Sequence, residues 1–165
     1  MAEKRTVEDL LADELKDLYS AEMQLTKALP KMIKGAADDA LKTALTDHLK
    51  ETRGHVTRLE EAARLLEIKP TGKKCVGMEG VIQEGAEVLD EQGDEKILDL
   101  GIIGAGCRVE HYEMAGYLTA IGLAERINAE EVVAVLKQTL VEEQAAEKKL
   151  RTIGAGLIKR AAIEA

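Results

Sequence analysis

Leu10–Leu29 reads LLADELKDLYSAEMQLTKAL. Leu11, Leu15, Leu18, Leu25 and Leu29 recur at spacings of three, four and seven, as on one face of an α-helix. The position that this stripe demands between Leu18 and Leu25 is Glu22. A carboxylate facing a helical core is costly unless it is paired, protonated or bound to a metal.

The same interruption recurs along the chain. Glu113 interrupts Ile102, Ala105, Val109, Gly116 and Ala120; Glu143 and Glu147 interrupt Leu136, Leu140 and Leu150. His48, Glu51 and His55 sit on or beside the stripe of another helical segment. Carboxylates and imidazoles converging from four helices are the recipe for a two-metal carboxylate site in a bundle centre.

Composition agrees with an all-helical chain. Of 165 residues, 45% are apolar, none is Trp or Phe, and only two are Pro. Abundant Ala, Leu, Glu and Lys favour helix, and no alternating strand pattern survives. The length fits one domain over residues 1–165. A net charge of −8 opposes binding to nucleic acid or an anionic membrane and suits cations. Residues 1–20 carry charge throughout, unlike a signal peptide, and no stretch is long and apolar enough to span a bilayer. A cytoplasmic location is therefore expected, with Cys75 and Cys107 as free thiols.

The helix boundaries read as follows. Thr6, with Asp9 three residues on, starts a first helix that reaches Lys34 and is kinked by Pro30. Asp38 or Asp39 caps a second helix that runs to Glu67. After a loop over Lys69–Gly77, a short helix spans Met78–Glu91. Asp94 caps a third long helix to Arg126, and Asn128 caps a fourth over Ala129–Ala162. Short links make two antiparallel hairpins. The longer segment between them gives a ferritin-like four-helix bundle with one long crossover containing a short extra helix. The hairpins carry a faint internal repeat, in which HLKETRGHVTRLEE aligns with TLVEEQAAEKKLRT and Glu51 with Glu142.

Helical spacing orders the candidate ligands. Glu51 and His55 are four apart, Glu143 and Glu147 four apart, and Glu110 and Glu113 three apart, so each pair can reach one point. The expected metal set is Glu22, Glu51, His55, Glu110, Glu113, Glu143 and Glu147, with Glu113 or Glu110 bridging. The usual Glu-x-x-His motif is replaced by Glu-x-x-x-His on the second helix, a change that a π-bulge could absorb. The fourth helix has no His, and either Glu142 or Glu143 is its first ligand. His48 reads as partly exposed and His111 as a surface residue. Tyr19 and Tyr117 can each donate to a ligating carboxylate or pack at the bundle edge. An oxygen-rich site with imidazole suits two iron ions, with manganese as the alternative.

Five segments carry a family resemblance: ELKDLYSAEMQLTKALPKM (14–32), HLKETRGHVTRLE (48–60), CVGMEGVIQEG (75–85), VEHYEMAGY (109–117) and TLVEEQAAEKKL (139–150). Together they resemble the YciE/YciF family of bacterial ferritin-like stress proteins. The resemblance implies a ferritin-like bundle, a cytoplasmic stress protein and an iron site, without a defined reaction. Glu110-x-x-Glu113-x-x-x-Tyr117 is also similar to the third-helix pattern of rubrerythrins, which reduce peroxide. The leading expectation is thus a non-haem di-metal protein with oxygen or peroxide chemistry, a peroxidase- or ferroxidase-like oxidoreductase. Its electron donor is unknown, and a homodimer is the expected assembly. The alternative is a metal-free helical assembly protein with a vestigial site. Ferritin-like storage or DNA protection is weaker, because the acidic chain has no basic tail.

Overall fold

Thr6 and Asp9 close a capping box, each side chain accepting from the other's backbone N–H, and so start α1 (Val7–Gly35). The helix continues through Pro30 to Gly35. A three-residue turn follows, and Asp38 caps α2 (Asp39–Leu65) by accepting from the N–H groups of Ala40 and Leu41. Three further helices complete the computed structural model: α3 (Val76–Asp90), α4 (Glu95–Arg126) and α5 (Glu130–Ile163). The described residues are 5–91 and 93–163, with side chains through Arg160. Among them no strand occurs, and no helix is long and apolar enough to cross a membrane.

Two helix ends differ from the sequence reading. The second helix stops at Leu65, because Glu67 turns left-handed (φ 55°) and the Ile68 N–H bonds back to the Ala63 carbonyl. Asn128 (φ 58°) does the same for α4, with the Ala129 N–H on the Ala124 carbonyl. Asn128 therefore closes α4 rather than capping α5; Asn tolerates the left-handed region, so either role was open to it. The crossover helix begins earlier than expected, at Val76, with the Cys75 Sγ accepting from the Met78 N–H as its N-cap.

The topology is the expected one. α1 and α2 form one hairpin and α4 and α5 the other; α1 packs on α4 and α2 on α5. The crossover helix α3 lies outside, against α4 and α1. At one end, buried Asp99 of α4 accepts from the backbone N–H groups of Ala37 and Asp38, both at 2.8 Å. It thereby staples the α1–α2 turn to the second hairpin.

The core is aliphatic and divided in two. Leu25, Leu29, Leu41, Leu45, Ile102 and Leu157 anchor one cluster, and Leu11, Leu15, Leu59, Ala120 and Leu136 the other. Between them, at mid-height, lie Glu22, His48, His55, Glu110, Glu113 and Glu143, all buried. Two glycines of α4 flank this polar layer. A Cβ at Gly106 would meet Leu150, and one at Gly116 would meet Leu18, each at 2.8 Å. Their absence lets α5 and α1 approach α4 on either side of Glu110 and Glu113.

Candidate metal centre

The buried face of α2 runs Leu41, Leu45, His48, Thr52, His55, Leu59, Ala62, alternating steps of four and three. His48 and His55 are thus two turns apart on the core seam, and Glu51 falls on its shoulder. The Glu51 side chain is 43% exposed against 6% for His48. α2 is regular α-helix over this stretch, with no π-bulge to rotate Glu51 inward. On α5 the seam passes through Leu136, Thr139 and Glu143, and Glu143 is fully buried.

Two groups of potential ligand atoms form. Glu22, His55 and Glu143 make one; His48, Glu110, Glu113 and Glu143 make the other. Within each group the ligand atoms lie within 4.8 Å of one another. Glu143 belongs to both. Its Oε1 is 3.0 Å from His55 Nδ1, and its Oε2 is 3.9 Å from His48 Nε2. One carboxylate therefore faces an imidazole with each oxygen. Glu22 Oε1 is 3.3 Å from His55 Nδ1, and Glu110 Oε1 is 3.1 Å from His48 Nε2.

These approaches lack hydrogen-bond geometry. Nine buried side-chain atoms of the cluster have no hydrogen-bond partner: Glu22 Oε2, both nitrogens of His48, His55 Nδ1, Glu110 Oε2 and all four oxygens of Glu113 and Glu143. Buried polar atoms are otherwise almost always satisfied. Carboxylate and imidazole atoms that converge without making hydrogen bonds are what a cation would satisfy, and the oxygen-and-imidazole set suits iron or manganese.

Each imidazole is held from outside by a carboxylate. His55 Nε2 lies 2.9 Å from Glu142 Oε2, and Arg58 grips the same carboxylate with two N–H groups at 2.7 Å. His48 Nδ1 lies 3.5 Å from Glu51 Oε2, a looser version of the same arrangement. Glu51 and Glu142 are the residues that align in the internal repeat. Carboxylates in this outer position orient metal-bound histidines and raise their basicity. Tyr117, wholly buried, donates to Glu22 at 2.6 Å. Tyr19 instead reaches Glu60, away from the cluster.

Without a cation the cluster is electrostatically tense. Burial pushes the Glu113 carboxyl well above its ordinary range, with Glu22, Glu143 and Glu110 adding to the effect. Burial likewise raises Glu22, against the pull of the nearby His55 imidazole. Glu143 is pushed up to about 7, mainly by burial, against the pull of His55. Burial would lower both imidazoles, but Glu143 and Glu22 outweigh it and hold His55 at about 10. Glu110, Glu51 and Glu143 likewise hold His48 well above its ordinary value.

Of the expected residues, the structure gathers Glu22, His55, Glu110, Glu113 and Glu143. It leaves Glu51 outside His48, and puts Glu147 at the bundle edge, with its Oε1 3.2 Å from His111 Nε2 and 2.6 Å from Arg151. The shared carboxylate is Glu143, not Glu110 or Glu113. His48 is buried rather than partly exposed, and its signal was the alternating step from Leu41 through Leu45 to Leu59. Arg58 was missed; its place one turn after His55 was the available sign.

Sequence and structure comparisons extend over nearly the whole chain. A family model described as a domain of unknown function, DUF892, matches residues 6–163. Protein YciF of Escherichia coli K12 is 36% identical over 159 residues, 96% of each chain. The crystal structure of that stress protein superposes with a TM-score of 0.92, covering 94% of this chain and 99% of that one. YcfI from Rhodopseudomonas palustris is 42% identical with a TM-score of 0.88, over 92% of this chain and 96% of the other. A Xanthomonas campestris protein, 18% identical with a TM-score of 0.76 over 96% and 98% of the two chains, shares the fold. The resemblance carried by the five quoted segments is thereby borne out.

Proposed function

The chain belongs to the DUF892 family, and we propose that it is a ferritin-like non-haem di-metal protein holding two iron or manganese ions for oxygen or peroxide chemistry. The observation that carries this reading is the convergence of six buried residues, Glu22, His48, His55, Glu110, Glu113 and Glu143, in two groups that share Glu143, each residue with at least one buried atom that has no hydrogen-bond partner. Glu22 and His55 would hold one ion, and His48, Glu110 and Glu113 the other. Glu143, whose two oxygens face His55 and His48, would serve both. The metals, when bound, supply the electrons for reducing an oxidant.

The chain's own residues do the rest. The two apolar clusters exclude bulk water above and below the polar layer. Glu142 with Arg58, and Glu51, fix the imidazoles so that Nδ1 of His55 and Nε2 of His48 face inward. Tyr117 fixes the Glu22 carboxylate by its hydrogen bond and keeps a proton one bond away from it. A bacterial stress role in the cytoplasm accords with the description of E. coli YciF as a stress protein.

Untagged protein, stripped with a chelator and titrated anaerobically with ferrous or manganous ion, is expected to bind two equivalents per chain. The reduced iron-loaded form is expected to consume peroxide, and the stripped form not. If neither ion binds, the cluster is a set of buried ion pairs between helices, and the protein is a structural one.

A further inference from the structure

We propose that divalent cations reach the buried cluster through a cleft between α2 and α5, where Asp47 and Glu51 capture the ion at the mouth and His48 and Glu110 receive it at the floor. This rests on the di-metal reading above. The cleft has a volume of about 80 Å³. That is several times the roughly 15 Å³ that one water needs, and far below the roughly 300 Å³ at which organic-ligand pockets begin. It admits a cation shedding its waters and rejects a bulky chelate.

The cleft leads to the cluster. Both floor residues are nine-tenths or more buried, yet His48 Nδ1 and Glu110 Oε2 have no hydrogen-bond partner. A larger cavity of about 290 Å³ between α1, α3 and α4 is lined by no residue of the cluster. On α5 the lining is Ala145, Ala146, Lys149 and Leu150, and the two alanines leave the gap open. At the mouth, Lys149 lies 3.6 Å from Asp47, with both side chains about half exposed (51% and 47%). Such a pair is weak and opens readily. Lys50 also lies 3.4 Å from Asp47, so the three carboxylates Asp47, Glu51 and Glu110 face two exposed lysines that do not neutralise them all, and the lysines pair with Asp47 at the rim rather than with Glu51 or Glu110 deeper in. Glu51 has a role here that its exposure permits: its carboxylate stands 3.5 Å from His48 Nδ1, between solvent and the cluster.

The test is the rate of ferrous ion uptake by stripped, full-length protein under anaerobic conditions, quenched at intervals with a ferrous chelator. Ala146→Leu fills the passage and is expected to slow loading roughly tenfold, a barrier rise of about 1.4 kcal/mol. Asp47→Asn with Glu51→Gln is expected to slow it about tenfold at low salt, with a smaller effect at high salt. Lys149→Ala, which removes one opposing charge, is expected to speed it. Ala115→Leu, in a separate groove beside Glu14, is the control and should load at the wild-type rate. At saturating ferrous ion all variants should reach two ions per chain, the double variant with a weaker affinity because Glu51 also stands behind His48; the salt dependence of its loading rate is what distinguishes capture at the mouth from that loss. Wild-type loading rates in both Ala146→Leu and the double variant would overturn the port while leaving the metal site intact. A wild-type protein that holds no ion at equilibrium would overturn both.

Discussion

His55 Nε2 lies 2.9 Å from Glu142 Oε2 while its Nδ1 faces the cluster, so one carboxylate outside the ligand group sets which nitrogen points inward. Arg58 in turn fixes that carboxylate with paired N–H groups.

Glu142→Gln keeps the shape and removes the charge. It is expected to weaken metal binding by about 10- to 100-fold without changing stoichiometry, as for other carboxylates behind metal-bound histidines. Competition against a chelator of known affinity measures this. Unaltered affinity would mean that Glu142 serves only its ion pair with Arg58.

The two α2 residues that straddle the seam separate ligand from neighbour. His48→Ala and Glu143→Gln are expected to lower the bound metal per chain, Glu143→Gln at both positions. Glu147→Gln should retain two ions at the wild-type affinity, and Glu51→Gln should still hold two, with the weaker affinity expected when a carboxylate behind a histidine is lost. Elemental analysis after dialysis decides it, and loss of metal in the Glu51 and Glu147 variants equal to that in His48→Ala would reverse the assignment.

That contrast marks where sequence reasoning stopped. The leucines of the first helix fixed Glu22 as an inward residue, and the long gap between hairpins fixed the crossover. The exchange of Glu51 for His48 is a matter of about one-sixth of a helical turn. Pair spacing of three or four cannot resolve it, because Glu51 is in reach of either histidine. The full stripe from Leu41 to Ala62 does resolve it. Which of Glu142 and Glu143 faces inward depended on how α5 is rotated against α2, and the alternating step through Leu136 and Thr139 selects Glu143. Glu147 is one turn further on but drifts to the edge, where Arg151 and His111 are available to it.

Metal affinity should rise with pH. In the metal-free protein Glu143 titrates at about 7 and His55 at about 10, so at pH 6 both hold protons. A cation must displace these protons, and those that the raised Glu113 and His48 also carry. Counting Glu143 and His55 alone, manganous ion affinity is expected to rise by at least about a thousandfold from pH 6 to pH 8. Because the ion binds only the folded bundle, the metal-induced rise in melting temperature should also be larger at pH 8; at a hundredfold excess over Kd the stabilisation is about 2.7 kcal/mol. Isothermal titration at the two pH values is the check, and a flat profile would contradict a proton-occupied cluster.

Asp99 tests the fold independently of the metal. Its carboxylate accepts two backbone N–H groups of the α1–α2 turn in a buried setting. Asp99→Ala leaves both donors unpaired and is expected to destabilise the metal-free protein by about 3 kcal/mol, with Asp99→Asn recovering part of the loss. Urea unfolding measures both.

Anomalous scattering from crystals soaked in manganous ion, collected at the metal's absorption edge, tests the two-ion site most directly. Two peaks are expected at the bundle centre, one between Glu22 and His55 and one among His48, Glu110 and Glu113, with Glu143 between them. No peak in that layer at saturating metal, or peaks only at the protein surface, would contradict it.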